Sequence, residues 1–138
     1  MIIVDTNIIS YLMLPSNYTD SVDALYQVDP NWAAPLLWKS EFRNVLALYL
    51  RKKLITLEKA FQLQESAESL MAKNEFDVSS TQTISLVNES NCSSYDCEFV
   101  ALAHHFNTKL VTQDKKLLRE FSSTAISVSD FLSECSQP

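Results

Sequence analysis

Apolar residues along this chain fall into two patterns, short unbroken runs and longer stretches with helical spacing, and the two alternate. Ile2-Ile3-Val4 is an apolar run closed by Asp5, which predicts a strand over residues 2–5. Residues 7–13 and 20–28 read as helices, and residues 33–36 as a short strand behind Pro30. Trp38, Phe42, Val45, Leu46, Tyr49 and Leu50 recur at helical spacing and predict a helix over 38–52. A second long helix is expected over 56–73, opened by Thr56 and apolar at Phe61, Leu63, Ala67, Leu70 and Met71. Further strands are predicted over 76–79, 110–112 and 125–128, with helices over 80–90, 95–106, 115–121 and 130–135. The tail Ser136-Gln137-Pro138 is expected to fray. Alternation of this kind implies parallel strands joined by helical crossovers, an α/β fold with about five strands. The 138 residues fit one domain spanning 1–138, large enough to bury roughly 68% of the surface its unfolded chain would expose.

Composition narrows the chemistry. The chain has no glycine, so it can form neither a Walker phosphate loop nor a GxGxxG dinucleotide fingerprint, both of which need glycine for close backbone approach to phosphate. Any turn with positive φ must fall to residues such as Asn17, Asn31 and Asn107. No apolar stretch approaches the ~20 residues of a membrane span, and no secretory leader is visible, so a cytoplasmic protein is expected. The three cysteines, Cys92, Cys97 and Cys135, are odd in number and show no zinc-like pairing, which suits reduced thiols; Cys97 reads as a packing residue. The formal net charge of −6 argues against a module that grips nucleic acid by phosphate contacts alone. It argues less against a site where bound metal offsets acidic charge.

Four acids then stand out. Asp5 closes the first strand, Glu41 lies early in helix 38–52, Asp96 opens helix 95–106, and Asp114 follows the strand at 110–112. In an open α/β sheet such positions share one rim, where ligands bind. Each acid has an ordinary reading too. Asp5 could end a strand with Asn7 capping the next helix, Asp96 stands three residues after Ser93 as in a capping box, Asp114 could be an N-cap, and Glu41 a solvated acid. Together they suggest a carboxylate cluster, tolerated mainly around a cation, and its oxygen donors suit Mg²⁺ or Mn²⁺. His104 and His105 sit at the far end of their helix, where complementing its dipole suffices, as it does for Arg51-Lys52-Lys53.

These residues fall in motifs with a family likeness: Ile3-Val4-Asp5-Thr6-Asn7, Ser40-Glu41, the run Ser94-Tyr95-Asp96-Cys97-Glu98-Phe99-Val100-Ala101-Leu102-Ala103, and Leu110-Val111-Thr112-Gln113-Asp114-Lys115-Lys116-Leu117. In order and spacing, over essentially the whole chain, the sequence resembles the PIN-domain ribonucleases, most closely the VapC-type toxins of bacterial toxin–antitoxin pairs. The resemblance implies a three-layer α/β fold with a central parallel sheet flanked by helices. It implies a metal-dependent endoribonuclease acting on structured RNA such as tRNA or rRNA. Asp5, Glu41, Asp96 and Asp114 would be the catalytic acids. Asp5, Asp96 and Asp114 would hold Mg²⁺ or Mn²⁺, and Asn7 and Thr112 would be polar supports. Cys97 stands where a small alanine is common in relatives. Glu98 would point about 200° away from Asp96 on a helix. Lys39, Arg43, Lys115, Lys116 and Arg119 are candidates to guide RNA, with solvated helix faces as the ordinary reading. The resemblance also implies a homodimer silenced by a cognate antitoxin lying over the apolar helices beside the pocket. Tyr11, Leu12, Met13 and Leu14 are candidates for that groove, against core packing.

Two other readings compete. One is a PIN-like module that binds RNA or a protein partner without cutting. The other is a phosphoryl-transfer or receiver domain, but Asp5-Thr6-Asn7 lacks the second early acid and Lys109 begins its strand instead of ending it.

Overall fold

The structure, a computed structural model, describes residues 1–137; of the expected fraying tail, Pro138 lies outside the described residues. Five parallel strands form the sheet: β1 (Ile2–Val4), β2 (Trp32–Pro35), β3 (Glu75–Phe76), β4 (Leu110–Val111) and β5 (Ala125–Ile126), in the order β3-β2-β1-β4-β5. Helices flank it: α1 (Thr6–Met13), α2 (Thr19–Val28), α3 (Leu37–Arg51), α4 (Leu57–Met71), α5 (Ser80–Asn88), α6 (Ser94–His105), α7 (Lys115–Glu120) and α8 (Val128–Cys135). This is the parallel α/β architecture that the alternation predicts, with the helix-flanked central sheet that the family resemblance implies. Among the described residues no helix is long and apolar enough to cross a membrane.

The strands are shorter than their apolar runs because pairing ends where the chain turns into the next helix. The run expected over 125–128 stops at Ile126, since Ser127 already caps α8 and accepts a hydrogen bond from the Asp130 amide. The run expected over 76–79 stops at Phe76, because Ser79 caps α5 through the Gln82 amide. β1 is buried on both faces, as a central parallel strand must be. α6 packs on β1, β2 and β4 and is buried nearly all round from Cys97 to Ala103, so its sequence carries little amphipathic signal. Cys97 is fully buried there, among the core side chains. All three cysteines are unpaired.

Without glycine, two helices still end in left-handed residues. Lys53 (φ 59°) follows α3 and Asn107 (φ 50°) follows α6. In each case the next amide reaches back into the helix: Leu54 N–H to Tyr49 C=O at 2.9 Å and Thr108 N–H to Ala103 C=O at 3.0 Å. Both are Schellman closures, which satisfy the last carbonyls. Asn107 was expected in this role; Asn17 and Asn31 do not adopt positive φ, and Lys53 takes the second position. There the two backbone hydrogen bonds outweigh the modest cost of a left-handed lysine.

Candidate functional site

β1 and β4 are neighbours in register, Val4 opposite Val111, so the residues just beyond them meet at one rim. The Asp5 amide donates to the Val111 carbonyl at 3.0 Å. That contact carries Asp5 beside Thr112, whose hydroxyl donates to Asp5 Oδ2 at 2.7 Å. Asp5 also caps α1: its Oδ1 accepts from the Thr6 amide at 2.8 Å. The cap is therefore Asp5 itself and not Asn7, because the chain turns into the helix directly after β1. Asn7 instead sends its side-chain amide toward Asp5 Oδ2 and Thr112 Oγ1, each at a long 3.5 Å.

Glu41 comes from α3, which follows β2 on the other side of β1. The Thr6 hydroxyl donates to Glu41 Oε1 at 2.7 Å, so one threonine ties α1 to α3. Asp96 lies in the first turn of α6, where its amide donates to the Ser93 hydroxyl, as the capping pattern predicts. Asp114 is the N-cap of α7, accepting from the Lys116 and Leu117 amides at 2.8 and 3.1 Å, while its own amide donates to Thr112 Oγ1 at 3.0 Å. Thr112, fully buried, is thus hydrogen-bonded to two of the four acids.

The four acids open on one pocket of about 650 Å³ between α1, α3 and the start of α6. Burial pushes the Asp5 carboxyl from 3.8 to about 7, against the pull of its hydrogen bonds from Thr112 and Thr6; the charges of Glu41 and Asp96 add to the rise. Burial also raises Glu41, with Asp96 and Glu98 contributing, and raises Asp96, with the Asp114 charge next in size. Asp5, Glu41 and Asp96 therefore each resist ionising, first because burial removes their water and then because of the neighbouring charges.

Such a set fits a hard divalent cation, which would relieve both the repulsion and the desolvation of Asp5. The fit is not preformed. Among the described residues no three Asp, Glu, His or Cys side chains converge as a ready ion-binding group. Threonine and backbone donors hold three of the carboxylates instead.

The other candidates spread out. Lys39 leaves the pocket and pairs with Glu75 at 3.5 Å and Glu68 at 3.9 Å. Arg43 is exposed and lies off the pocket lining. Lys115, Lys116 and Arg119 are exposed on α7, and Lys116 is near enough to Asp96 to offset part of the rise in its pKa. Glu98 does not line the pocket, yet its charge reaches Glu41. His104, in the last turn of α6, is in hydrogen-bond contact with Thr124 Oγ1 at 2.9 Å. Leu14 is buried, whereas Tyr11, Leu12 and Met13 are partly buried against the core. Sequence reasoning missed the role of Thr6, although it lies between Asp5 and Asn7. It also missed Asn44, Tyr49 and Tyr95 in the pocket wall; Asn44 and Tyr49 share a helix face with Glu41, a signal that could have found them.

A family model described as PIN domain matches residues 2–122. No curated protein matches the chain in sequence. Among solved structures, FitAcB from Neisseria gonorrhoeae is 18% identical, with a TM-score of 0.73 over 94% of this chain and 99% of that one. A toxin–antitoxin complex from Klebsiella pneumoniae is 16% identical, with a TM-score of 0.71 over 93% of this chain and 98% of that one. A protein from Pyrobaculum aerophilum is 20% identical, with a TM-score of 0.69 over 98% and 96%.

Proposed function

The chain belongs to the PIN-domain family, and from that premise we propose that it is a divalent-metal-dependent endoribonuclease of the VapC-like toxin class. One observation carries the reading: Asp5, Glu41, Asp96 and Asp114, scattered over the sequence, line a single pocket at one rim of the sheet. Asp5, Asp96 and Asp114 would hold Mg²⁺ or Mn²⁺. A cation held there supplies Lewis-acid activation of water and of the phosphoryl oxygen.

The chain's own groups do the positioning. Thr112 fixes the Asp5 carboxylate by donating to Oδ2 and leaves its other oxygen to the Thr6 amide. Thr6 holds Glu41 Oε1, so Oε2 is left to orient the attacking water and take its proton. The raised pKa of Glu41 makes it a better proton acceptor than an ordinary surface carboxylate. The water oxygen bonds to phosphorus as the P–O bond to the leaving ribose oxygen breaks, and that oxygen takes its proton from solvent water while Glu41 returns its own to solvent. Lys115 and Lys116, exposed on α7 beside Asp114, are placed to meet the RNA backbone.

A solved neighbour is a toxin–antitoxin complex, which supports a small antitoxin as partner. Its segment would lie over α1 at Tyr11, Leu12 and Met13 and obstruct the pocket. A homodimer in the cytoplasm completes the proposal.

The test is cleavage of a mixed tRNA and rRNA pool by wild type and Asp5→Asn, with Mg²⁺, Mn²⁺ or EDTA. Discrete metal-dependent cuts, lost in the variant, are expected. A second reading, a PIN-like module that binds without cutting, draws on the lack of a preformed ion-binding group among the described residues. A well-folded wild type that neither cuts RNA nor binds Mn²⁺ stoichiometrically would favour that module.

A further inference from the structure

The pocket is longer than four acids require. From Asp5 and Glu41 it continues as a groove between α1 and α3, past Ser10 and Asn44, to Tyr11 and Tyr49. Tyr11 lies six residues after Asp5 on α1, about 9 Å along the helix axis, and Tyr49 lies eight after Glu41 on α3, about 12 Å. Both rings are partly exposed and line the same cavity. The Tyr11 ring also packs on the Tyr18 ring, with centroids 4.7 Å apart and planes tilted by 36°.

The charge pattern limits what this end can hold. No lysine or arginine lines the groove, and its other end carries four carboxylates. A second phosphate would meet no cation here and would be repelled. An uncharged planar group fits: it can stack on tyrosine without any charge partner. Asn44, exposed on the groove wall, has no hydrogen bond from its side-chain amide to the described residues, so one acceptor and two donors face an incoming group.

We propose that Tyr11 and Tyr49 form a nucleobase subsite, in which an unpaired base near the scissile phosphate stacks on the tyrosines while Asn44 meets its edge. The substrate must then be single-stranded where it is cut, because a base inside a duplex has both faces stacked and its pairing edge occupied. This inference rests on the ribonuclease reading of the same pocket and specifies what the apolar half of the pocket is for.

The test uses the full chain and a short single-stranded RNA carrying a fluorescent purine analogue at successive positions, with Mg²⁺ in the cold. Quenching reads stacking, and anisotropy reads binding. Quenching is expected at a position beside the cut. Tyr11→Ala and Tyr49→Ala should each weaken binding about tenfold or more and abolish the quench. Tyr11→Phe should behave as wild type. Tyr11→Leu, which keeps the apolar contact with the fold, should lose the quench. The same strand annealed to its complement should bind weakly and show no change. A wild type that cuts RNA yet quenches at no position overturns the subsite alone. Equal binding by wild type and the alanine variants, without quenching, also overturns it. A wild type that quenches, and loses the quench in Tyr11→Leu, but cuts no RNA with Mg²⁺ or Mn²⁺, supports the subsite and sinks the ribonuclease reading.

Discussion

The Thr112 hydroxyl donates to Asp5 Oδ2 at 2.7 Å, joining the ends of two adjacent strands that lie more than a hundred residues apart in the chain. The Thr112 hydroxyl oxygen in turn accepts from the Asp114 amide at 3.0 Å. A buried threonine is therefore the hinge on which two acids of the pocket are set.

Thr112→Val tests this arrangement with little change of shape. It removes a hydrogen bond that lowers the Asp5 pKa and leaves a buried carboxylate and an amide short of partners. A stability loss of about 1–3 kcal/mol at neutral pH is expected, and the acidic limb of the cleavage profile should move to higher pH. Thr112→Ser keeps the hydroxyl and should restore both. A cleavage profile unmoved by the valine would mean that Thr112 does not set Asp5.

Asp5 links stability to pH. Its folded-state pKa, about 7, exceeds its ordinary value of 3.8, so the folded chain holds this proton more tightly than the unfolded chain does. Between those two values metal-free stability should fall as pH rises, by at most about 4 kcal/mol in total. Asp5→Asn cannot ionise and should remove that slope, leaving the metal-free variant as stable as wild type or more so above neutrality. Chemical denaturation across this window, in EDTA, decides it; a variant less stable at every pH would count against a strained, buried carboxylate.

Cation binding should be visible without any RNA. If Mn²⁺ binds the folded chain only, a hundredfold excess over its Kd adds about 2.7 kcal/mol to stability and raises Tm. Asp5→Asn and Asp96→Asn together should abolish the rise. An equal rise in that double variant would place the ion elsewhere.

Two lysines that look alike in the sequence should differ. Lys39 is held by Glu68 and Glu75 at the surface, so Lys39→Ala should leave RNA cleavage unchanged and cost under about 1 kcal/mol of stability. Lys116 is exposed near Asp96, so Lys116→Ala should weaken cleavage at low salt and less so at high salt, where its field is screened. Measuring both variants at two ionic strengths is enough; a larger loss for Lys39→Ala would reverse the assignment.

The sequence by itself determined the element order, the parallel α/β class and the family. Those depend on local periodicity, caps and short motifs, such as the Thr56 hydroxyl meeting the Lys59 amide and Ser93 meeting Asp96. It also marked Asp5, Asp96 and Asp114, because strand ends and helix starts are readable positions, and Glu41 through the Ser40-Glu41 motif early in a clearly periodic helix. Tertiary structure alone decided which of them share hydrogen bonds. Thr6 reaches Glu41 and Thr112 reaches Asp5 only because β1 lies between β2 and β4, a strand order that no local pattern encodes. It alone separated Lys39 from the pocket, since the partners of a long, flexible side chain depend on helices distant in sequence. Burial decided the rest: Asp5 is an ordinary strand-end aspartate until the fold removes its water, and only then does its carboxyl rise to about 7.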